Sequence, residues 1–331
     1  MRGSVTVFAI VFLFFFTALA AGAFVLVRAG FFLTSTVSDE DDEIQEYHEV
    51  VIQIIQLMKN DSNTRADCRF DSYMQPDRQV SRDFLVRIND VSSRINPNFI
   101  EENLFTETDL DSLFLPGVTA QNLQDFRDER GLSLEIREHY QHIFTETAFA
   151  DYLTPYGYAN INCTDEFVLE DLYYLRTGDE QGADLFHAAV QNMRASLQLF
   201  SEDDLPIILG GNYEVLANII HTEPVWNIHF LPEEILSAVL NYGPFEIEGP
   251  LQRADRIQVH SATVGIDPSM LRTLVGAHSG SRIYAYLGTI TWFWKIEVEG
   301  NAGTYECIVA RLPGDQDDPT FQIISNRWAE E

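Results

Sequence analysis

The sequence predicts an α+β protein in which a long N-terminal helix packs on a C-terminal antiparallel sheet, with a large all-α domain inserted between them. Three observations predict this fold class. An apolar segment and then an amphipathic segment open the chain, the hydrophobic period is helical from about residue 100 to 275, and it becomes the alternating period of strands after residue 282. Because a helix on a sheet is already a complete unit, the helical block between them is interpreted as an insertion.

The first segment is long and apolar enough to cross a membrane. Met1-Arg2-Gly3 precedes an uncharged, mostly apolar run from Ser4 to Val27. As a helix this run extends about 36 Å, which exceeds a hydrocarbon core of about 30 Å. Arg2 before the run and a cluster of acidic residues after it favour a cytoplasmic N-terminus. The sequence therefore predicts a leader at residues 1–3 and a transmembrane helix at residues 4–28.

The same segment allows three modes of processing. A short basic leader that ends in Gly, followed by an apolar run and a second helix, resembles the N-terminus of type IV pilins and type II secretion pseudopilins, in which a prepilin peptidase would cut between Gly3 and Ser4. Ala18-Leu19-Ala20 also matches the small-x-small pattern of a signal peptidase site. An uncleaved signal anchor is the third alternative. This segment alone does not distinguish them.

The second segment predicts an amphipathic helix that ends near Lys59-Asn60-Asp61. Its apolar residues recur every three or four positions, at Ile44, Tyr47, Val51, Ile54, Ile55 and Met58. A first strand is predicted at residues 83–91, where β-branched residues are frequent. Together these elements form a predicted pilin-like helix and strand over residues 39–98.

The inserted domain is predicted at residues 99–277 and the closing sheet at residues 278–331. Helical signals separated by Gly, Pro and Asn occur at 107–115, 120–130, 132–150, 165–175, 182–198, 203–221 and 232–241. The C-terminal part predicts a three-stranded antiparallel meander with strands Ile283–Val298, Thr304–Leu312 and Phe321–Trp328.

An Asn-containing unit recurs three times in the helical block. The units are Ile95-Asn96-Pro97-Asn98, Asn160-Ile161-Asn162-Cys163 and Asn227-Ile228-His229. Each of the last two is followed about 50 residues later by an apolar stretch that ends in Gly, at Gly210 and Gly276. Asn at such positions satisfies free backbone N–H groups and links neighbouring turns, so we predict a structural role for all three units.

The segment Asp109–Val118 with the helix after it resembles a helix-hairpin-helix or SAM-like element. In nucleic-acid binders the exposed N–H groups of such a hairpin contact phosphate. Acidic residues surround it here, and the whole chain has 51 acidic and 21 basic residues and a formal net charge of −30. Such a charge repels phosphate backbones and anionic lipid. A membrane-anchored DNA-uptake module is therefore disfavoured, and nucleic acid is not an expected partner.

No motif indicates catalysis. The sequence lacks HExxH, GxSxG, a P-loop and the dinucleotide-binding glycine fingerprint. Cys68, Cys163 and Cys307 are too scattered to form a disulfide framework or a Cys/His metal site, and at most one bridge is possible. We expect a protein that is not an enzyme. A signal-anchored extracytoplasmic binding protein is the alternative if the chain is cut after Ala20.

Taken together, these features resemble one family, the K-type minor pseudopilins of type II secretion systems. The resemblance covers nearly the whole chain: the leader ending in Gly3, the run Val86–Asp90 leading into Arg94–Asn98, the helical block with its Asn units, and the strand around Trp292–Ile296. Ordinary pilins have Glu five residues after the cleavage point, where this chain has Phe8. The K-type also lacks that Glu.

The resemblance implies a structural subunit of the secretion apparatus. It implies a single-pass inner-membrane protein, with its C-terminal domain in the periplasm, located at the pseudopilus tip. The expected partners are the other minor pseudopilins, which would be contacted through Phe8 and a helix face formed by Ile44, Val51, Ile55 and Met58. Secreted proteins are further expected contacts. K-type pseudopilins bind calcium, and the candidate ligands in this sequence are Glu202, Asp203 and Asp204.

Overall fold

The computed structural model describes residues 45–329, except for residues 62, 75–78, 82–83, 196–198, 218 and 315–317. The predicted leader, the transmembrane helix, Phe8 and Ile44 therefore lie outside the described residues. Within the described part of the chain, no helix is both long enough and apolar enough to cross a membrane. The chain divides into two compact units, Met1–Gln53 and Ile54–Glu331.

The described residues contain nine strands and twelve α-helices. The strands are β1 Gln79–Ser81, β2 Phe84–Asp90, β3 Ala159–Asn160, β4 Ile220–His221, β5 Trp226–Asn227, β6 Leu287–Gly288, β7 Phe293–Gly300, β8 Gly303–Arg311 and β9 Phe321–Trp328. The helices are α1 (residues 45–59), α2 Glu102–Thr106, α3 Ala120–Arg130, α4 Ile136–His139, α5 Glu166–Thr177, α6 Glu180–Ala195, α7 Leu205–Leu209, α8 Tyr213–Leu216, α9 Glu233–Asn241, α10 Pro250–Thr263, α11 Pro268–Val275 and α12 Ile283–Tyr286. The protein is thus a mixed α+β protein, as the sequence predicts.

Helix α1 has the amphipathic character that its sequence predicts. Its apolar residues are buried at Tyr47, Val50, Val51, Ile54, Ile55 and Met58. The polar residues between them, such as Gln53 and Gln56, are exposed. This alternation follows from the helical period of 3.6 residues. The packing of α1 on the sheet stays a prediction.

A five-stranded antiparallel sheet combines strands from the two ends of the chain. The strand order is β1-β2-β7-β8-β9. Strand β2 pairs with β7 over its length, with Val86 opposite Val298 and Ile88 opposite Ile296. These four side chains are buried while their neighbours along each strand are more exposed, which is the two-residue period of a half-buried sheet. In the sequence, the whole helical lobe lies between β2 and β7, which are hydrogen-bonded neighbours in the sheet.

The C-terminal strands largely match the sequence prediction, but the first predicted strand begins too early. Residues Ile283–Tyr286 form helix α12 instead, and the long strand starts at Phe293. Ile283, Ala285 and Tyr286 are all buried. A short, fully buried apolar run has no period that distinguishes a helix from a strand, which explains the wrong prediction.

The helical lobe consists of three similar repeats. Each repeat opens with a short extended segment that pairs in parallel with the segment closing the same repeat. The pairs are Ile95 with Leu153, Ala159 with Ile220, and Trp226 with Leu287. The third repeat therefore closes at β6, beyond the predicted domain boundary at residue 277. The weak periodicity of the sequence reflects a true structural repeat.

The first Asn of each unit lies at the opening of its repeat and accepts the same local backbone hydrogen bond. The side-chain oxygens of Asn96, Asn160 and Asn227 each accept a hydrogen bond from the backbone N–H two residues later, at 3.0, 2.7 and 3.0 Å. The amides of Asn96 and Asn160 donate to the carbonyls of Pro155 and Glu223, which follow the closing segments. The predicted structural role of the Asn units is confirmed.

The second polar residue of each unit links its turn to a distant backbone segment. Asn98 exchanges two hydrogen bonds with the backbone of Ser133, and Asn162 exchanges two with the backbone of Phe200. In the third unit, His229 Nε2 accepts from the backbone N–H of Ile266 at 2.7 Å. His229 therefore makes one of the two contacts that Asn makes in the other units.

Among the described residues, two hydrophobic cores stabilise the lobe. The first and third repeats share one core, which contains Leu104, Phe144, Ile235 and Tyr286 among others. The second repeat has its own core around Leu169 and Phe186. A third, smaller cluster joins Trp292 and Ile308 near the sheet to Tyr158 of the loop between the first two repeats. The sheet and the repeats are thus connected by apolar packing as well as by the chain.

Candidate functional site

Three carboxylates converge in the loop that follows α1. Asp61, Asp67 and Asp71 each place a carboxylate oxygen within 4.8 Å of the others, and they are the one group of this kind among the described residues. We call this group the acidic triad. The loop continues into the 3₁₀ turn Ser72–Met74, in which Tyr73 is buried.

Backbone contacts fix the loop against the sheet and the third repeat. The N–H of Asp67 donates to the carbonyl of Thr289 at 2.7 Å, and the Thr289 hydroxyl donates to the carbonyl of Arg65 at 2.7 Å. The amide of Asn227 donates to the carbonyl of Asp67 at 2.7 Å. The opening Asn of the third repeat, which ends with β6 beside Thr289, therefore also positions the acidic triad.

The Asp67 carboxylate is buried and accepts a hydrogen bond at each oxygen. Its Oδ1 accepts from the Tyr73 hydroxyl at 2.6 Å, and its Oδ2 accepts from the Thr291 N–H at 2.7 Å. Arg311 Nη1 lies 3.4 Å from the same Oδ2. Burial raises the pKa of Asp67 to about 7, and the positive charge of Arg311 offsets only part of that effect. Asp67 thus exchanges a proton near neutral pH.

The other two carboxylates have different surroundings. Asp71 accepts from the N–H of Cys68 at 2.6 Å and from its thiol at 3.2 Å. Burial raises the pKa of Asp71, and the charge of Asp61 adds to the increase. Asp61 Oδ1 accepts from the Asn63 N–H at 3.4 Å, whereas its Oδ2 is shielded from solvent and has no hydrogen-bond partner among the described residues.

The donor set of the triad fits a hard cation. Calcium and magnesium bind carboxylate and carbonyl oxygens. The unpartnered Oδ2 of Asp61 is a buried oxygen that a cation would satisfy, and Asp67 and Asp71 would supply the other carboxylates. A cation would in turn favour the deprotonated form of Asp67. The triad is therefore the group of described residues best suited to hold calcium.

The neighbouring thiol is not activated for covalent chemistry. Burial raises the pKa of Cys68 to about 11, and its hydrogen bond to Asp71 favours the thiol further. A nucleophilic cysteine needs the opposite shift. Burial also raises the pKa of Cys307 to about 12, and all three cysteines are free.

A chain of buried polar groups extends from the triad into the lobe. The Thr291 hydroxyl accepts from the amide of Asn227 at 2.9 Å and donates to Asp90 at 2.6 Å. Ser93 donates to Asp90 at 2.8 Å and accepts from the Asn227 N–H at 3.0 Å. We call these four residues, with Asp67, the polar junction. It connects β2, the third repeat, the residues before β7 and the triad.

The structure places only part of the predicted assembly surface. Gly3, Ser4, Phe8 and Ile44 lie outside the described residues. The remaining side chains of the predicted face are Val51, Ile55 and Met58, and all three are buried within the chain, at 0%, 6% and 3% exposure. The exposed large apolar side chain of α1 is instead Ile52, at 41%. The assembly role of the predicted face stays a prediction.

The predicted calcium ligands lie in a surface turn. Glu202 and Asp203 are exposed, and the three residues form a short 3₁₀ turn before α7. The Asp204 carboxylate accepts from the N–H and hydroxyl of Ser201 at 2.8 and 2.6 Å, and these bonds lower the pKa of Asp204. The structure does not bring Glu202, Asp203 and Asp204 together as a triad, and their calcium role stays a prediction.

Sequence reasoning missed the acidic triad, although a signal was present. Asp61 was recognised as the end of the amphipathic helix, but Asp67 and Asp71 follow it in the same loop. Asp carboxylates are ligands that hard cations prefer, so the three Asp residues in one short loop are that signal. The pattern lacks the spacing of an EF-hand, so only the fold reveals that the carboxylates converge.

Comparisons with known proteins find no match by sequence and a weak similarity among solved structures. No protein-family model matches the chain, and no curated protein matches it. Among solved structures, the chain is similar to a chain of the GspK-GspI-GspJ complex of the type 2 secretion system from enterotoxigenic Escherichia coli. The two are 10% identical, with a TM-score of 0.30, over 89% of this chain and 99% of that chain. A similarity of this size does not establish a shared fold or function.

Proposed function

We propose that this chain is a K-type minor pseudopilin, a structural subunit at the tip of a type II secretion pseudopilus. One observation carries the proposal: β2 and β7 are hydrogen-bonded neighbours although the entire helical lobe separates them in sequence. A large helical domain inserted between two paired strands is the arrangement that the sequence resemblance implies. The apolar run Ser4–Val27 before α1 supports the same function.

The position of the lobe supports a role at the tip. The lobe of three repeats is inserted between the paired strands β2 and β7 and adds bulk beside the sheet. Such bulk obstructs subunit packing within a helical filament more than it obstructs packing at the end of the filament. In pilins, Glu at the fifth mature position neutralises the N-terminal amine of a neighbouring subunit. Phe8 has no charge for that purpose. We therefore propose that the subunit caps an assembly and does not polymerise.

The proposal includes location and partners. The protein would be anchored in the inner membrane by residues 4–28, with its C-terminal part in the periplasm. Its partners would be other minor pseudopilins and, at the tip, secreted proteins. The formal charge of −30 supports a protein partner and disfavours nucleic acid.

The mature N-terminus tests the proposal most directly. We expect mass spectrometry of the membrane-extracted protein to show a chain that begins at Ser4. Gly3→Leu should leave the precursor uncut, because the prepilin peptidase requires Gly before the cleavage point, whereas the control Gly22→Leu should be processed normally. A mature chain that begins after Ala20 would contradict the proposal and favour a secreted binding protein.

Assembly provides a second test. Co-expression with the other minor pseudopilins of the same system should give a hetero-oligomer with one copy of this chain. Val51 is buried, so Val51→Asp should unfold the chain as well as abolish assembly, since a buried unpaired carboxylate costs several kcal/mol. Ile52→Asp is the sharper variant because Ile52 is exposed.

We expect Ile52→Asp to lose the hetero-oligomer while its melting midpoint stays close to that of the unchanged protein. Gln53→Asp, which adds the same charge at an exposed polar position of α1, should assemble normally. Size-exclusion chromatography with light scattering measures both. Filaments formed by this chain alone would contradict the tip assignment.

A further inference from the structure

An open cleft of about 480 Å³ lies between the first and third repeats. One wall is the 3₁₀ turn Asp109–Leu113 with the residues just before it, and the other is helix α9. Leu110, Leu113 and Ala238 are buried side chains at its base. Leu251, at the start of α10, lies at its edge and is 62% exposed. The apolar surface of the cleft that solvent reaches is therefore Leu251 and the half-buried ring of Tyr152.

Four carboxylates line the same cleft. They are Glu107 and Asp109 on one wall and Glu233 and Glu234 on the other, and all four are exposed. The lining contains no Lys, Arg or His, and none of the four forms an ion pair with another described residue. Tyr152, also in the lining, has a raised pKa because of partial desolvation and the charge of Glu234.

The combination of accessible apolar side chains and an acidic rim selects the chemistry of an occupant. Lys and Arg have an apolar stem that packs on hydrophobic surface and a charged end that stays at the polar edge. The cleft volume lies in the range of small-ligand sites, about 300–1,000 Å³, so it can hold one or two such side chains with an apolar neighbour. Anionic partners are excluded by the charge of the rim.

A bare metal ion fits the cleft less well. The four carboxylates lie on two facing walls and do not converge as the acidic triad does, since the triad is the one group among the described residues with ligand oxygens that close together. An extended cationic group can reach both walls, whereas a single ion cannot.

We propose that this cleft binds a basic segment of a protein partner, with a Lys or Arg stem on Leu251 and Tyr152 and its charged end among the four carboxylates. The proposal goes beyond the role in secretion and does not depend on it. Glu233 and Glu234 lie in the first turn of α9, which holds them on a rigid element facing the opposite wall. The cleft therefore presents a preformed surface to the segment.

Fluorescence anisotropy with a labelled Lys-Leu octapeptide tests the proposal. The full chain would be titrated in neutral detergent at about 0.15 M salt, where exposed charges beyond about 8 Å are screened. We expect the double variant Glu233→Gln with Glu234→Gln to raise Kd about tenfold. Ser237→Phe, which fills the cleft without changing charge, should raise Kd by a similar factor.

A matched control removes the same charge elsewhere. Glu180→Gln with Asp184→Asn also removes two exposed carboxylates near the start of a helix, α6, and should change Kd less than twofold. Equal weakening by the control pair would show diffuse attraction and overturn the proposal. Complete competition by equimolar spermidine would show a site for small amines, which also overturns it. Absence of peptide binding to the unchanged protein would also overturn the proposal.

Discussion

At the scale of single residues, His229 shows how two different side chains serve one structural position. Its Nδ1 lies 2.9 Å from the side-chain oxygen of Asn227, and its Nε2 accepts from the Ile266 N–H. These contacts place the proton on Nδ1 and leave Nε2 as the acceptor. The imidazole thus supplies the acceptor that an Asn side chain supplies in the first two repeats. Burial lowers the pKa of His229 to about 4.

Substitutions at His229 should therefore depend on the acceptor. We expect His229→Leu to lower the free energy of unfolding by about 1–3 kcal/mol, because the buried N–H of Ile266 loses its partner. His229→Asn should cost less, since an amide oxygen can replace Nε2. Chemical denaturation at pH 7.5 measures both. Equal losses for the two variants would show that packing, and not the hydrogen bond, decides stability.

The same residue should give the protein a stability that falls in acid. The folded pKa of about 4 lies below the unfolded value of about 6.5, so the contribution of neutral His229 is complete above pH 6.5 and is lost as the pH falls towards 4. The free energy of unfolding of His229→Asn, relative to that of the unchanged protein, should therefore rise as the pH falls from 6.5 to 4. A constant difference between pH 7 and pH 4 would contradict the shift.

Asp67 should produce the opposite pH dependence. Its folded pKa of about 7 lies above its ordinary value of 3.8, so its contribution is complete below pH 4 and is lost as the pH rises through 7. Asp67→Asn does not titrate, and its stability relative to the unchanged protein should therefore increase from pH 4 to pH 7. Chemical denaturation across this pH range measures the difference, and a difference that does not change with pH would rule out the raised pKa.

At the scale of elements, the loop after α1 is the segment whose structure should respond to calcium. We expect calcium, compared with chelator at matched ionic strength, to raise the melting midpoint of the full chain. A ligand at 100 times its Kd adds about 2.7 kcal/mol to the free energy of unfolding. The rise should disappear in Asp61→Asn with Asp71→Asn, because the triad then lacks two carboxylates.

The sequence-predicted ligands supply the control. Glu202→Gln with Asp203→Asn should keep the calcium-dependent rise if the acidic triad is the site. A rise that is lost in this pair and kept in the triad variant would favour the surface turn before α7 instead. No rise in the unchanged protein would exclude a specific calcium site in either position.

Elements with a strong period were predictable from the sequence. Helix α3 matches the predicted segment 120–130, and α9 matches 232–241 to within one residue. Strands β8 and β9 also match their predictions. In each case a capping residue, an alternating apolar pattern or a helix-breaking residue marks the ends. Local sequence preferences were therefore sufficient to predict these elements.

Elements that depend on distant partners were not predictable. The two-residue strands β3 to β6 exist because the ends of each repeat meet, and no local pattern encodes that meeting. The predicted helix 132–150 breaks into α4 and a π-helical turn, Ala148–Tyr152. Phe144 between them is buried in an aromatic cluster, and tertiary packing overrides the helical period there. The acidic triad was missed for the same reason, because its loop is shaped by Thr289 and Asn227.

At the scale of the whole molecule, the polar junction couples the lobe to the sheet. We expect Thr291→Val to leave Asp90 and Asn227 each without one partner and to lower the free energy of unfolding by about 1–3 kcal/mol. The control Thr320→Val, at an exposed position, should be within about 0.5 kcal/mol of the unchanged protein. Denaturant titration measures both.

Calorimetry should show how far this coupling extends. We expect one cooperative transition for residues of the lobe and the sheet in the unchanged protein and a broader or split transition in Thr291→Val. Two separate transitions in the unchanged protein would show that the lobe and the sheet unfold independently and that the junction does not couple them.

The pairing of β2 with β7 also determines how the molecule carries mechanical load. Asp90 and Trp294 are paired at the end of the two strands where the chain leaves for the lobe and returns from it. Tension applied between Phe84 and Trp328 therefore passes through the backbone ladder of the sheet and bypasses the lobe. The three repeats bear no tension until the backbone hydrogen bonds between β2 and β7 break. The lobe can therefore keep its structure while the sheet bears the force.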